Sequence, residues 1–357
     1  MRKTPLSHHT GPLNRESLQA EKRLSPSTWR GLSSYLGLIG ALLAMIVLFS
    51  FLSDHFLSMN TFSTIANQIP DLMVMSVGMT FVLIIAGIDL SVGSLLALAA
   101  AVVSVTYLNL HWNPWLAALS GVALATLVGS LTGFITVFWR IPSFIVSLGM
   151  LEMARGAAYQ LTDSRTAYIG SIFDYLADPI VLGISPSFVI AALVILLGHL
   201  ALTRTIFGRH LIGIGTNEEA VRLAGINPGP YKIAVFALMG GLSGLASLFQ
   251  VARLEAADPN GGVGMELQVI AAVVIGGTSL MGGRGSVICT FLGALIISVL
   301  AAGLAQIGAS EPRNGSLPAR SSLWPWCWTP TAASGKKNNA PTRCRARHIR
   351  GHRHRLC

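Results

Sequence analysis

Few residues in this chain could do chemistry, and most of them sit in apolar surroundings. Asp89 is the sole acid in a long apolar region. An isolated carboxylate deep in hydrocarbon costs about 2.5–3.5 kcal/mol on insertion scales, so it must face a bundle interior, a cavity or the interface. It reads either as a pathway or gating residue, or as a structural carboxylate capping a helix that starts at Leu90. The flanking Gly87 and Gly93, with Ser91 between them, mark a tight helix break and favour the structural reading. Glu152 and Arg155 lie three apart and could pair on one helix face. His199 is a lone imidazole in an apolar run and reads as an interior side chain, not a ligand. No phosphate-binding G-x-x-x-x-G-K-[ST], dinucleotide-binding G-x-G-x-x-G, H-E-x-x-H or G-x-S-x-G constellation occurs. The chain therefore reads as a non-enzyme that needs no cofactor or metal.

The most informative polar stretch runs from Gly208 to Pro228. Within it Asn217-Glu218-Glu219-Ala220-Val221-Arg222-Leu223-Ala224 reads as a short helix. Thr216 or Asn217 supplies the N-cap, the acids sit in the first turn, and Gly225 closes it, with Gly215 just before. Ala220, Leu223 and Ala224 share one face. Such a helix can dock a partner or lie as a connector on the bundle.

These residues must be positioned by membrane helices. Of 357 residues, 52% are hydrophobic and only 11% charged, and the mean hydropathy is +0.62. An ordinary soluble domain carries about 25% charged residues. Nine apolar runs are candidate spans: 32–52, 72–88, 90–110, 114–139, 141–161, 180–202, 233–251, 267–281 and 287–309. In lipid each must satisfy its own backbone, so an all-α polytopic bundle is expected. Residues 1–31 form a polar, basic segment, and no cleavage-site pattern follows the first run, which reads as a retained span. With that segment in the cytoplasm, Arg140, Arg204, Arg209, Arg222, Lys232 and Arg284 also fall on the cytoplasmic side, as the positive-inside rule requires. Asp163, Arg253, Glu255 and Asp258 then face outward; the last three read as a plain solvated loop, or as a place where a delivery protein could meet the chain. Trp112, Trp115 and Trp139 read as interface anchors. Gly-rich breaks at 86–94 and 276–286 form a faint internal echo of the kind transporters show.

Four ordered segments resemble the permease subunits of ribose-type sugar ABC importers. They are Gly78-Met79-Thr80-Phe81 leading into Gly87-Ile88-Asp89-Leu90-Ser91-Val92-Gly93-Ser94, Pro142-Ser143-Phe144-Ile145-Val146-Ser147-Leu148-Gly149-Met150, the loop Gly208 to Ile226, and Gly276 to Gly285. The resemblance spans residues 35 to 312, with Ala86 in place of a usual glycine. It implies a bundle of about ten spans, of which nine are present, in a bacterial inner membrane. It also implies a translocation path for a ribose-like monosaccharide. The partners it implies are two ATP-hydrolysing subunits, a periplasmic sugar-binding protein and a second permease copy. The helix around Glu219 would be the coupling helix of the ATPase contact. A secondary transporter or channel is the rival reading, as is a truncated, non-functional permease.

The last reading comes from residues 313–357, which hold ten Lys or Arg and no acid; the rest of the chain is balanced, fifteen against fifteen. The charge is thus confined to a tail and gives no signal of specific nucleic-acid binding. Where the resemblance calls for a last span, Leu317 to Pro330 is broken by prolines and Arg320. Read one base earlier, the codons of Trp324 to Thr329 force Ala, then Leu, Val or Met, then Val-Leu-Asp. That is the end of an apolar helix, so the tail reads as out of frame from near Pro312. The Cys344, His348, His352 and His354 cluster, which would suggest a metal site, is then an accident of frame.

Overall fold

The computed structural model describes residues 26–180 and 183–308. They belong to one compact unit, Met1–Ser310, while a second unit, Glu311–Cys357, lies outside the described residues, as do the polar segment 1–25 and the tail readings above.

Thirteen α-helices are described. In order they are α1 Pro26–Leu52, α2 Met59–Gln68, α3 Pro70–Ile84, α4 Val92–Leu108, α5 Pro114–Phe138, α6 Ser143–Leu161, α7 Asp174–Ala177, α8 Pro186–Arg204, α9 Ile206–Thr216, α10 Glu218–Leu223, α11 Pro228–Leu254, α12 Met265–Ile275 and α13 Val287–Gln306. Among the described residues the β structure is one antiparallel pair, β1 Ala167–Tyr168 with β2 Ala256–Ala257. The all-α expectation holds, and each of the nine apolar runs contains a helix.

Their lengths differ from the expected spans in a systematic way. Five helices are long and apolar enough to cross a membrane alone, and α2 with α3 makes a sixth, bent by 45°. The run 267–281 is a helix only to Ile275, giving α12 just 11 residues, because Gly277 turns the chain with φ +81°. At about 1.5 Å per residue, α12 is half a span. The runs 72–88 and 90–110 likewise yield helices that stop at Ile84 and start at Val92, leaving Ile85–Ser91 non-helical. Pro142 holds Ile141 out of the helical region and delays α6 to Ser143.

Contacts sort the termini into two ends. At one, the Gly283 N–H donates to the Ile84 carbonyl (2.8 Å), Gly215 packs against the same carbonyl, and Tyr35 meets Ser286 (Oη–Oγ 3.4 Å). At the other, Arg253 pairs with Asp71 (3.0 Å), Ser53 donates to Gln306 (3.3 Å), and the Ser185 N–H donates to Asn67 (3.0 Å). The start of α1, Gly215 and Gly283 thus share an end, hereafter the Gly215 end. The two Gly-rich breaks of the sequence meet there.

The core is built around α3, every residue of which is buried. A helix hydrophobic all round belongs inside a bundle. Beside it, α5 and α11 pack backbone to backbone. A Cβ on Gly240 would collide with the Ala125 carbonyl, and one on Gly133 would lie 2.9 Å from Cα of Ile233. Small residues are what allow such close approach in lipid, where apolar burial does not discriminate between helix and tail.

Candidate coupling site and helix break

The break begins where α3 ends. Ala86 takes φ +58°, and the chain stays non-helical through Ser91. Its backbone is satisfied by hydroxyls of α6: Ser143 Oγ accepts from the Ile88 N–H (2.9 Å) and Ser147 Oγ from the Leu90 N–H (3.1 Å). Ser147 also approaches the Ile88 carbonyl at 3.3 Å. Non-helical backbone at membrane depth survives only when buried partners of this kind replace water. Two of the four segments that carried the resemblance therefore meet here.

Asp89 is fully buried. Its Oδ1 accepts from the Ser91 N–H (2.9 Å) and Ser91 hydroxyl (2.6 Å), while Oδ2 has no hydrogen-bond partner among the described residues. The capping reading needs correction in detail. The following helix starts at Val92, not Leu90, with Ser91 as its N-cap, and Asp89 ties down the turn before it instead of the first-turn amides. Gly93 abuts the carbonyl of Gly262, and a Cβ there would also stand 2.7 Å from Glu266 Oε2.

The short polar helix forms as expected. Asn217 is the N-cap, its Oδ1 accepting from the Ala220 N–H (3.0 Å), and Gly225 follows the helix with φ +85°. Glu218 is held by Lys232 (2.6 Å) and Arg222 (3.4 Å), and Glu219 reaches Arg222 at 3.7 Å. Val221 packs into the main core. Ala220 and Ala224 are exposed, and Leu223 is 82% exposed. This small apolar face has nothing on it among the described residues.

A cleft of about 870 Å³ opens at the Gly215 end and brings the two sets together. Gly87 lines one wall; Glu218, Glu219, Arg222 and Lys232 line another, with Arg140 and Ser143 between. Asp89, Ser91 and Gly93 lie deeper, and Gly215, Asn217, Ala220, Ala224 and Gly225 lie outside it.

Other expectations change. Glu152 and Arg155 form no ion pair; Arg155 Nη1 instead donates to the carbonyls of Pro259 (2.6 Å) and Gly261 (2.8 Å). Arg253 pairs with Asp71, and Glu255 accepts from the Tyr168 hydroxyl (2.6 Å). His199 Nδ1 is buried without a hydrogen-bond partner among the described residues. Trp112, Trp115 and Trp139 are exposed. No group of three or more potential metal ligands occurs among the described residues. The sequence reading named Ser143, Ser147, Arg155 and Lys232 but missed the partners they hold; the i, i+4 spacing of the two serines on one helix was the one signal available.

Comparison with known proteins gives the family. The family model described as "Branched-chain amino acid transport system / permease component" matches residues 61–322. The ribose import permease protein of Escherichia coli is 39% identical over 276 residues, covering 76% of this chain and 86% of that protein. That of Bacillus subtilis is 33% identical over 300 residues, 83% and 92%. The fructose import permease of Bifidobacterium longum is 34% identical over 244 residues, 67% and 68%. No solved structure matches. The chain is a multi-pass transport subunit, not an enzyme, and belongs to the branched-chain amino acid transport system permease component family.

Proposed function

We propose that the chain is the membrane permease of an ATP-driven sugar importer and forms the path for ribose or a similar monosaccharide. Proteins named as ribose, fructose and allose permeases among its relatives support a monosaccharide. The observation that carries the coupling role is the exposed face of α10, with Leu223 82% exposed, beside a cleft whose other wall is the α3–α4 break. Lys232 of α11 ties α10 to the bundle through Glu218, so a push on its exposed face passes to α11 beside the cleft. Two ATP-hydrolysing subunits seated at the Gly215 end, a periplasmic sugar-binding protein at the opposite end and a second permease copy complete the reading. The Gly215 end is then cytoplasmic, in keeping with Arg140, Arg209, Arg222 and Arg284 near it.

An ion-driven carrier is the weaker reading. Its ionisable residues would be Asp89, Glu152, Arg155 and His199, and of these Asp89 and Arg155 are engaged in local structural bonds. The test uses Ala220→Arg in the assembled transporter. Coupling through α10 predicts that transport falls at least tenfold while the protein stays in the membrane and the ATPase subunits still hydrolyse ATP. Transport at the full rate sinks the assignment.

A further inference from the structure

A carboxylate stands exposed near the middle of α6. Glu152 is exposed, about two and a half turns into α6, some 14 Å from its Ser143 end. Hydrocarbon does not accept an ionised carboxylate at that depth; such a group faces protein or a water-filled cavity. The α6 surface around it is flat, since Gly149 and Gly156 have open space where a side chain would stand.

A second observation points to the same face. From Asp258 to Gly264 the chain is non-helical and lies beside the second half of α6. Arg155 grips the carbonyls of Pro259 and Gly261, and the Tyr159 hydroxyl donates to Asn260 Oδ1 (2.6 Å). Gly262 of this loop packs against Gly93, where the other discontinuous helix begins. Irregular backbone at this depth occurs only inside protein or along a water-filled cavity. Here Asn260 is exposed, and Val263 is 67% exposed. Neither lipid nor a sealed interior suits this surface.

We propose that this face of α6, edged by Asn260, lines the sugar path, that Glu152 accepts hydroxyls of the passing monosaccharide, and that the Arg155-held loop narrows the path beside the second half of α6. The inference rests on the importer reading above. A carboxylate is an acceptor-only group with several lone-pair sites, matched to the donor hydroxyls of a polyol. A neutral sugar leaves its charge uncompensated, so the contact orients without trapping. The facing wall is the same surface of a second copy. The two open glycines let that copy approach closely, and a two-fold contact presents each copy's Glu152 to one shared path.

The test is made on the transporter with its ATPase and binding protein in proteoliposomes, with native cysteines replaced by serine. Single cysteines go at Glu152 and Gly156, and at Leu127 and Leu193 as exposed apolar controls. A charged, water-soluble thiol reagent is expected to modify positions 152 and 156 at least about tenfold faster than the controls, at a rate that changes when ATP is added. Glu152→Gln is expected to slow transport about tenfold with ATP hydrolysis retained. If positions 152 and 156 react no faster than the controls, or if Glu152→Gln transports at full rate, the proposal is overturned. Should Glu152→Cys fail to insert, Gly156→Cys alone decides the question. Uncoupling by Ala220→Arg with position 156 unreactive would sink this inference and leave the importer reading standing.

Discussion

Ser143 and Ser147 take the place of water at the α3–α4 break. Each hydroxyl accepts from an amide of the non-helical chain that no helix serves. Leaving a buried amide without a partner costs about 1–3 kcal/mol. Ser147→Ala should therefore lower the thermal midpoint of the detergent-purified protein, and Ser147→Thr, which keeps the hydroxyl, should recover most of the loss. Equal midpoints for Ser147→Ala and the parent would refute this role. At Gly93 the constraint is space instead of hydrogen bonding. A methyl group there meets the Gly262 carbonyl, which is backbone and cannot swing aside. Gly93→Ala should weaken the protein more than Gly149→Ala, where nothing stands within 4 Å, as a melting comparison of the two would read directly. Gly87, Asp89, Ser91 and Gly93 were legible as a break in the sequence, because an acid flanked by glycines suits neither a lipid-facing surface nor the middle of a stable helix. Arg155's partners were not legible, since two carbonyls 104 and 106 residues away carry no side-chain signature.

At the scale of elements, α10 is the clearest case of local legibility. Cap, acidic first turn and terminal glycine all lie within a few residues, and the helix forms where they place it. Gly225 has φ +85°, a conformation that costs a residue with a Cβ about 1–2 kcal/mol. Gly225→Val should loosen α10 and raise the ATPase activity that proceeds without sugar, measured in the assembled complex; unchanged coupling would show that the closing turn is dispensable. The apolar runs were less faithful guides to helix ends. Hydropathy reports which residues avoid water, and the largely buried non-helical chain at Ile85–Ser91 avoids water nearly as well as helix does. The runs 72–88 and 267–281 thus overstated α3 and α12, since composition does not register where backbone hydrogen bonding changes partner.

For the whole molecule, the orientation proposed for the bundle is open to labelling. Single cysteines at Arg209 and Asn217 should react with an impermeant thiol reagent only from the cytoplasmic side, and one at Asp163 only from outside. Periplasmic labelling at 217 would invert the arrangement. The tail acts at the same scale. If residues 313–357 are read out of frame, restoring the frame near codon 312 should give an uninterrupted apolar span and a protein that assembles and transports better. Loss of that span removes helix–helix packing more than apolar burial, because lipid tails are nearly as apolar as the missing helix. A gene sequence without the alternative frame, or equal transport by the unrepaired chain, would end this idea.

Composition and apolar run length were enough to establish an all-α membrane bundle with nine apolar segments, since a chain in lipid has almost no other way to satisfy its backbone. Short-range residue patterns placed the helix break and the polar helix α10, whose hydrogen bonds lie within a few residues of their partners. Only the tertiary structure decided that the two Gly-rich breaks abut at Ile84 and Gly283, that two serines of α6 serve the non-helical chain, and that Arg155 holds a loop instead of Glu152. Those contacts join backbone atoms and hydroxyls across tens to hundreds of residues. No side-chain periodicity encodes them, because which carbonyl a donor meets is set by how the helices pack, and packing in lipid depends on shape more than on polarity.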